Sequence, residues 1–172
     1  DSDGNDLDLT TVAVSAGANS VVVDTVTPTV TGAVISGAES DGVTSKTGTL
    51  VAGDKILVTV TASEAITVTG TPEYTIDVGG VSKLATYVSG SGGTSLVFAY
   101  EVQAGDTDGA GGIEAGTGAL ALAGGTLKDS AGNDLDLTTV AVSAGANSVV
   151  VDTVTPTVTG AVISGAESDG VT

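Results

Sequence analysis

Alternating apolar and polar residues are the clearest pattern along this chain, and they predict β-strands. In Lys55–Ala62 the side chains of Ile56, Val58 and Val60 fall on one face, because successive side chains of a strand point to opposite sides. The same two-residue period gives two further strands an apolar face: Leu96, Phe98, Tyr100 and Val102 within 94–103, and Tyr74, Ile76 and Val78 within 73–78.

Val- and Thr-rich runs separated by Gly, Asp, Asn and Ser predict more strands, near 28–36, 64–69, 83–88, 119–127 and 147–151. No segment carries a sustained helical stripe of apolar residues. About seven or eight strands in about 120 residues are typical of an immunoglobulin-like antiparallel β-sandwich, so the predicted fold class is all-β. The predicted core is Ile56, Val58, Val60, Phe98, Tyr100, Leu120 and Leu122.

A long internal repeat organises the chain. Residues 1–44 recur at 129–172 with a single difference, Asp3 against Ala131, so the sequence repeats with a period of 128 residues. This period is too long for a solenoid unit and matches the size of a whole domain. We therefore predict a tandem array of nearly identical domains.

Local chemistry suggests where one repeat ends and the next begins. The segment 23–28 (VDTVTP) recurs at 151–156, and proline is excluded from central strand positions. This segment is therefore interpreted as a linker that enters an edge strand. The predicted complete repeat is 24–151, with 1–23 as the C-terminal tail of a preceding repeat and 152–172 as the N-terminal start of a following one.

The charge balance narrows the functional classes. Four lysines stand against 21 acids, giving a formal net charge of −17, which repels nucleic acid and anionic membranes and attracts divalent cations. No apolar run reaches the roughly 20 residues that span a bilayer. With 41% hydrophobic residues, the chain is expected to fold.

Enzymatic activity is not expected. The sequence has no histidine and no cysteine, so the usual catalytic bases, nucleophiles and soft-metal ligands are missing. A carbohydrate- or ice-binding β-sandwich module is the alternative function. Sugar binding is disfavoured because sugar-binding sandwiches generally use aromatic platforms, and this chain has no tryptophan and only three tyrosines. Near-identical copies also indicate a generic spacer more than a specialised binding domain.

Acidic residues cluster in the predicted turns and in the linker, which indicates calcium sites. Ca²⁺ takes six to eight oxygen ligands, largely carboxylates and carbonyls. Asp and Asn also cap turns, so each single acid has a second interpretation. The candidate ligands are Asp24, Glu39, Asp41, Glu64, Asp106, Asp108, Asp129, Asp134, Asp136 and Asp152.

Consecutive loops of a sandwich alternate between its two ends, so the candidate ligands divide into two groups. We expect the first group at the end where the linker enters: Asp24, Glu64, Asp129 and Asp134, with Asp136 as an additional member. We expect the second group at the opposite end: Glu39, Asp41, Asp106, Asp108 and Asp152. Each junction would then gather acids from two neighbouring repeats and the linker between them.

Four segments carry a resemblance to a known class of repeat: VDTVTPTV at 23–30, LVAGDKILVTVTASEAITVTG at 50–70, ATYVSGSGGTSLVFAYEVQAGDTD at 85–108 and GGTLKDSAGNDLDL at 124–137. The chain resembles the immunoglobulin-like extender repeats of large bacterial RTX adhesins over nearly the whole period. The resemblance implies an extracellular stalk on the bacterial cell surface that binds Ca²⁺ at its domain junctions. It also implies that the partners are neighbouring identical repeats in the same chain, and that other domains contact the adhesive target.

Overall fold

The computed structural model of the protein describes residues 23–109, 111–138, 141–142 and 147–163. Within these ranges the chain contains strands, turns and irregular segments but no helix. The strands of these ranges are β1 (Val30–Ala38), β2 (Thr49–Leu50), β3 (Lys55–Thr69), β4 (Glu73–Val78), β5 (Val81–Ser89), β6 (Gly93–Glu101), β7 (Thr107–Asp108), β8 (Leu120–Ala121), β9 (Thr126–Lys128) and β10 (Val150–Asp152).

The strands form two sheets. The larger has the order β1-β3-β6-β5-β4-β8, with β9 paired to the far half of β3, and all its pairings are antiparallel. The smaller has the order β2-β10-β7, in which β10 runs parallel to β2 and antiparallel to β7. Leu50 and Val151 of the small sheet join the same apolar core as Phe98 of the large one. The described chain is therefore all-β, and its arrangement is consistent with a β-sandwich.

The predicted core is largely confirmed. Ile56, Val58, Val60 and Phe98 are fully buried and Leu120 is nearly so. Two further predicted members, Tyr100 and Leu122, are only partly buried against this core.

Strand β3 differs from the prediction of two strands separated by a loop at 63. It is one 15-residue strand whose register against β6 shifts between Thr61 and Ile66. Its first part pairs with β1 and β6, and its last three residues pair with β9. The irregular segment bends the strand from one set of partners to another, as β-bulges do.

The chain enters and leaves at opposite ends of the large sheet. At the entry end, Val30 pairs with Ala62. At the exit end, Lys55 pairs with Ala38 on one side and with Glu101 on the other. The turn that follows Glu101 bonds to Thr153, just beyond β10.

The predicted repeat boundaries stay predictions. The predicted tail at 1–23 lies outside the described residues except for Val23, and the predicted start at 152–172 is described only as far as Ile163.

Candidate metal centre

Three carboxylates converge at the entry end. One oxygen from each of Asp24, Glu64 and Asp129 lies within 4.8 Å of the others. Asp129 is buried, and the other two residues are half-buried. Among the residues that the structure describes, this is the only such group of three acids.

The three side chains come from distant parts of the sequence. Asp24 precedes β1, in the segment that the sequence predicts to be a linker. Glu64 lies in the irregular segment of β3, not in a loop as predicted. It is between Thr61 and Ile66, where the register of β3 against β6 shifts. Asp129 follows β9 directly. The pairing of β9 with the last residues of β3 therefore brings the acids of these two strands to the same end of the domain.

Asn133 connects the segment that contains Asp24 to this centre by hydrogen bonds. Its side-chain Nδ2 donates to the carbonyl oxygen of Asp24 at 3.3 Å and to Oδ2 of Asp129 at 2.7 Å. Upstream of β1, the backbone of Pro28 accepts a hydrogen bond from Asp136 N. The entering chain is thus fixed to the loop after β9 at two points. Asn133 was not among the predicted site residues, because an amide in a turn carries no charge signal.

Asp129 is held as a carboxylate. Burial raises the pKa of Asp129, but the hydrogen bonds from the Asn133 side chain and from the backbone N–H groups of Asn133, Gly132 and Ala131 outweigh burial and hold it below its usual range. A carboxylate that is ionised at neutral pH is a favourable oxygen ligand for a hard cation.

The spacing suits calcium. Ca²⁺ binds oxygens at about 2.3–2.6 Å, so two ligand oxygens on opposite sides of one ion lie up to about 5 Å apart. The three carboxylate oxygens lie within 4.8 Å of one another, so all three can reach one such ion. Three carboxylates, some of them bidentate, together with nearby carbonyl oxygens and water could supply six to eight ligands.

Two predicted members of the first group lie outside this cluster. Asp134 Oδ1 forms an ion pair with Lys128 Nζ at 2.6 Å, and the side chain of Asp134 is 77% exposed. Asp136 Oδ1 accepts a hydrogen bond from Thr138 N at 2.9 Å. The backbone and side-chain hydrogen bonds from Thr138 lower the pKa of Asp136.

The structure does not bring the second predicted group together within the described residues. Glu39 is exposed, and Asp41 caps its own turn by accepting from the N–H groups of Val43 and Thr44 and from the Thr44 hydroxyl. These hydrogen bonds lower the pKa of Asp41, and the bond from the Thr44 hydroxyl has the largest effect.

Two more members of that group each accept a backbone hydrogen bond with one carboxylate oxygen. Asp108, predicted in a loop, lies in β7, and its Oδ2 accepts from Gly79 N at 2.8 Å. Asp152 ends β10, and its Oδ1 accepts from Val154 N at 2.9 Å.

Asp106 belongs to a buried polar network. Its Oδ1 pairs with Lys83 Nζ at 2.7 Å, while its Oδ2 accepts from the Tyr100 hydroxyl at 2.6 Å and from Gln103 N at 2.8 Å. Burial raises the pKa of Asp106, but these three partners outweigh it and lower the pKa. An ammonium already neutralises this carboxylate. The calcium role of Asp106 stays a prediction.

The buried carboxylates predict how stability depends on pH. Burial raises the pKa of Asp54, but its bonds to Lys46 and Val51 N outweigh this, so its folded-state pKa is lowered, as are those of Asp106 and Asp129. A depressed folded-state pKa contributes stability that is present above the unfolded pKa of about 4 and is lost as pH falls through the folded value. We therefore expect the urea midpoint in chelator to drop steeply below about pH 4. An unchanged midpoint at pH 3 would contradict these pKa directions.

Comparisons of the chain with protein-family models, with curated protein sequences and with solved structures gave no match. In the described part of the chain, no helix is both long and apolar enough to cross a membrane.

Proposed function

We propose that this protein is a stretch of a non-enzymatic stalk, built from tandem immunoglobulin-like β-sandwich repeats that calcium stiffens at their joints. The observation that carries this proposal is the convergence of Asp24, Glu64 and Asp129. One of these acids lies in the linker and the other two lie in the body of the repeat. A cation bound by all three would join the linker to the domain.

The internal repeat extends the proposal to the next joint. Asp152 occupies the same place in the repeated sequence as Asp24. In a continuing array, Asp152 would therefore face the counterparts of Glu64 and Asp129 in the following repeat. On this view Asp152 is a ligand of the next joint, completed by the downstream repeat rather than by Asp106 or Asp108.

The path of the chain suits a rod. Entry and exit at opposite ends of the large sheet let repeats follow one another end to end. A strand of 10–13 residues spans about 33–44 Å, so each repeat would add on the order of 40 Å of reach. A stalk of this kind would hold the adhesive tip of a secreted bacterial adhesin away from the cell surface, in cell adhesion and biofilm formation.

The aromatic side chains favour the stalk over the carbohydrate-binding alternative. Tyr74 and Phe98 are fully buried, and Tyr87 packs edge-on against Phe98. The remaining aromatic residue, Tyr100, donates its hydroxyl to Asp106 and has Lys83 Nζ 5.8 Å from its ring centroid. These rings are engaged within the fold, so they form no open platform for a sugar.

A calcium titration of the 172-residue chain tests the metal centre. A cation that binds only the folded state raises the free energy of unfolding by about 2.7 kcal/mol at a hundredfold excess over Kd. We expect Ca²⁺ to raise the melting temperature of the wild type and to do so much less in the double variant Asp24→Asn/Glu64→Gln. Mg²⁺ should be a poor substitute, because it demands tight octahedral geometry.

Glu114→Gln is the matched control, because it removes one charge from an exposed position outside the cluster. It should respond to Ca²⁺ as the wild type does. An equal calcium response in the double variant would overturn the assignment of the ligands.

A further inference from the structure

The two ends of the repeat adopt the same local turn. Val26 N donates to Asp24 Oδ1 at 3.0 Å, and Val154 N donates to Asp152 Oδ1 at 2.9 Å. The residues around these two aspartates are identical in sequence. The two copies of this boundary segment therefore show its contacts on both sides. The entry copy (Asp24 and Thr25) contacts the repeat that follows it, and the exit copy (Asp152 and Thr153) contacts the repeat that precedes it.

The exit copy shows how the boundary segment binds the preceding repeat. Asp152 pairs with Thr107 as the last residue of β10. Next to it, the Thr153 hydroxyl donates to the carbonyl oxygen of Asp106 and accepts from Gly105 N, both at 2.8 Å. Two consecutive residues are thus fixed to the turn after β6 and to β7.

The entry copy shows how the same segment binds the following repeat. Its carbonyl oxygen, that of Asp24, accepts from Asn133 Nδ2. Asn133 is itself oriented by Asp129, which accepts from both its side chain and its backbone N–H. The donors of these hydrogen bonds are uncharged amide groups.

We propose that the Asp-Thr pair at each repeat boundary docks onto both neighbouring repeats at once, forming a polar joint that restrains the boundary by itself and that calcium then stiffens. The Thr153 hydroxyl makes hydrogen bonds to the preceding repeat, and the carbonyl oxygen of Asp152 accepts a hydrogen bond from the Asn133 side chain of the following repeat. The partner that this surface fits is the next copy of the same repeat. The inference rests on the proposed tandem arrangement but not on calcium.

The two sets of contacts are compatible. The contacts with the preceding repeat use the Thr153 hydroxyl and the strand pairing of Asp152. The contact with the following repeat uses only the carbonyl oxygen of Asp152. A carbonyl oxygen has two lone pairs, so it can accept from Asn133 as well as from a strand neighbour. No residue is then left between the two repeats as a flexible spacer.

A two-repeat protein tests this joint: residues 1–172 followed by a second copy of 45–151, which completes the second repeat. The sequence has no cysteine, so Ser82→Cys in each repeat gives two spin-label sites at an exposed position. The measured quantity is the width of the distance distribution between the labels, with calcium and with chelator. For the parent protein we expect the distribution in chelator to be narrower than in the joint variants, and calcium to narrow it further.

Thr153→Val removes the hydroxyl while keeping the shape of the side chain. We expect it to widen the distribution in chelator about twofold, because two hydrogen bonds at the joint are lost. Thr155→Val is the control, because Thr155 is exposed two residues further along. Asn133→Ala in the second repeat should also widen the distribution, whereas the same change in the first repeat should not. Melting curves establish that each variant is folded.

The outcomes separate this inference from the proposed function. A parent distribution in chelator that is as broad as those of both joint variants would overturn the polar joint even if calcium binds. A narrow distribution that Thr153→Val widens, in a protein that shows no calcium response, would support the joint and reject the calcium centre.

Discussion

Phe98→Ala is expected to lower the free energy of unfolding by about 3–5 kcal/mol, because it removes a large buried side chain and leaves a cavity. Phe98 is the only phenylalanine of the chain and is fully buried. Its ring centroid lies 5.9 Å from that of Tyr74 and 5.9 Å from that of Tyr87. The substitution therefore also removes two aromatic contacts, each worth about 0.5–1.5 kcal/mol beyond burial.

Urea unfolding in chelator measures this effect apart from any contribution of calcium. Total stabilities of about 5–15 kcal/mol are usual, so the variant should lose a large share of its stability. Val97→Ala is the matched control, since Val97 neighbours Phe98 on the opposite, half-buried face of β6. If Phe98→Ala cost no more than Val97→Ala, the core assignment would be wrong.

The success at Phe98 shows what alternation alone can predict. A period of two residues fixes which side chains share a face, and one face of a sandwich strand is buried. Leu96, Phe98 and Val102 were assigned in this way, and all three are buried. Tyr100 shares their face but is only partly buried, because its hydroxyl reaches Asp106 at the exit end.

Strand boundaries were less predictable because they depend on backbone geometry that composition does not reveal. The predicted strand at 119–127 is two short strands in the structure. Between them, Ala123 and Gly124 have φ values of 46° and 84°, which a continuous strand does not adopt. Strands β2 and β7 have two residues each, too few for any alternation to be recognised.

Assigning loops to the two ends of a sandwich placed Asp24, Glu64 and Asp129 in one group, and the structure brings these three together. The same argument could not find which carboxylates are already neutralised by lysine. All four lysines of the chain form ion pairs, and two of these pairs take predicted metal ligands, Asp106 and Asp134. Such pairing depends on side-chain geometry, which the spacing of residues along the sequence does not reveal.

The buried pair of Lys83 and Asp106 gives the second large prediction. We expect Asp106→Ala to lower the free energy of unfolding by about 3 kcal/mol, because the Lys83 ammonium, the Tyr100 hydroxyl and Gln103 N all lose their partner. The side chain of Asp106 is only 6% exposed, whereas that of Lys83 is 24% exposed. Water can reach the lysine, so the loss should lie at the lower end of the range of about 3–5 kcal/mol for breaking a buried pair.

Glu101→Ala is the contrasting variant, because it breaks the ion pair with Lys55 at a side chain that is 57% exposed. Exposed ion pairs contribute about 0–1 kcal/mol, so this change should leave the free energy of unfolding nearly unchanged. Both variants are compared in chelator and in calcium. If Asp106→Ala left stability in chelator intact but abolished part of the calcium response, the carboxylate would be a metal ligand, as the sequence alone predicted. If it destabilised the protein equally in both conditions, its role would be to hold β5, β6 and the turn after β6 together at the end where the chain leaves the repeat.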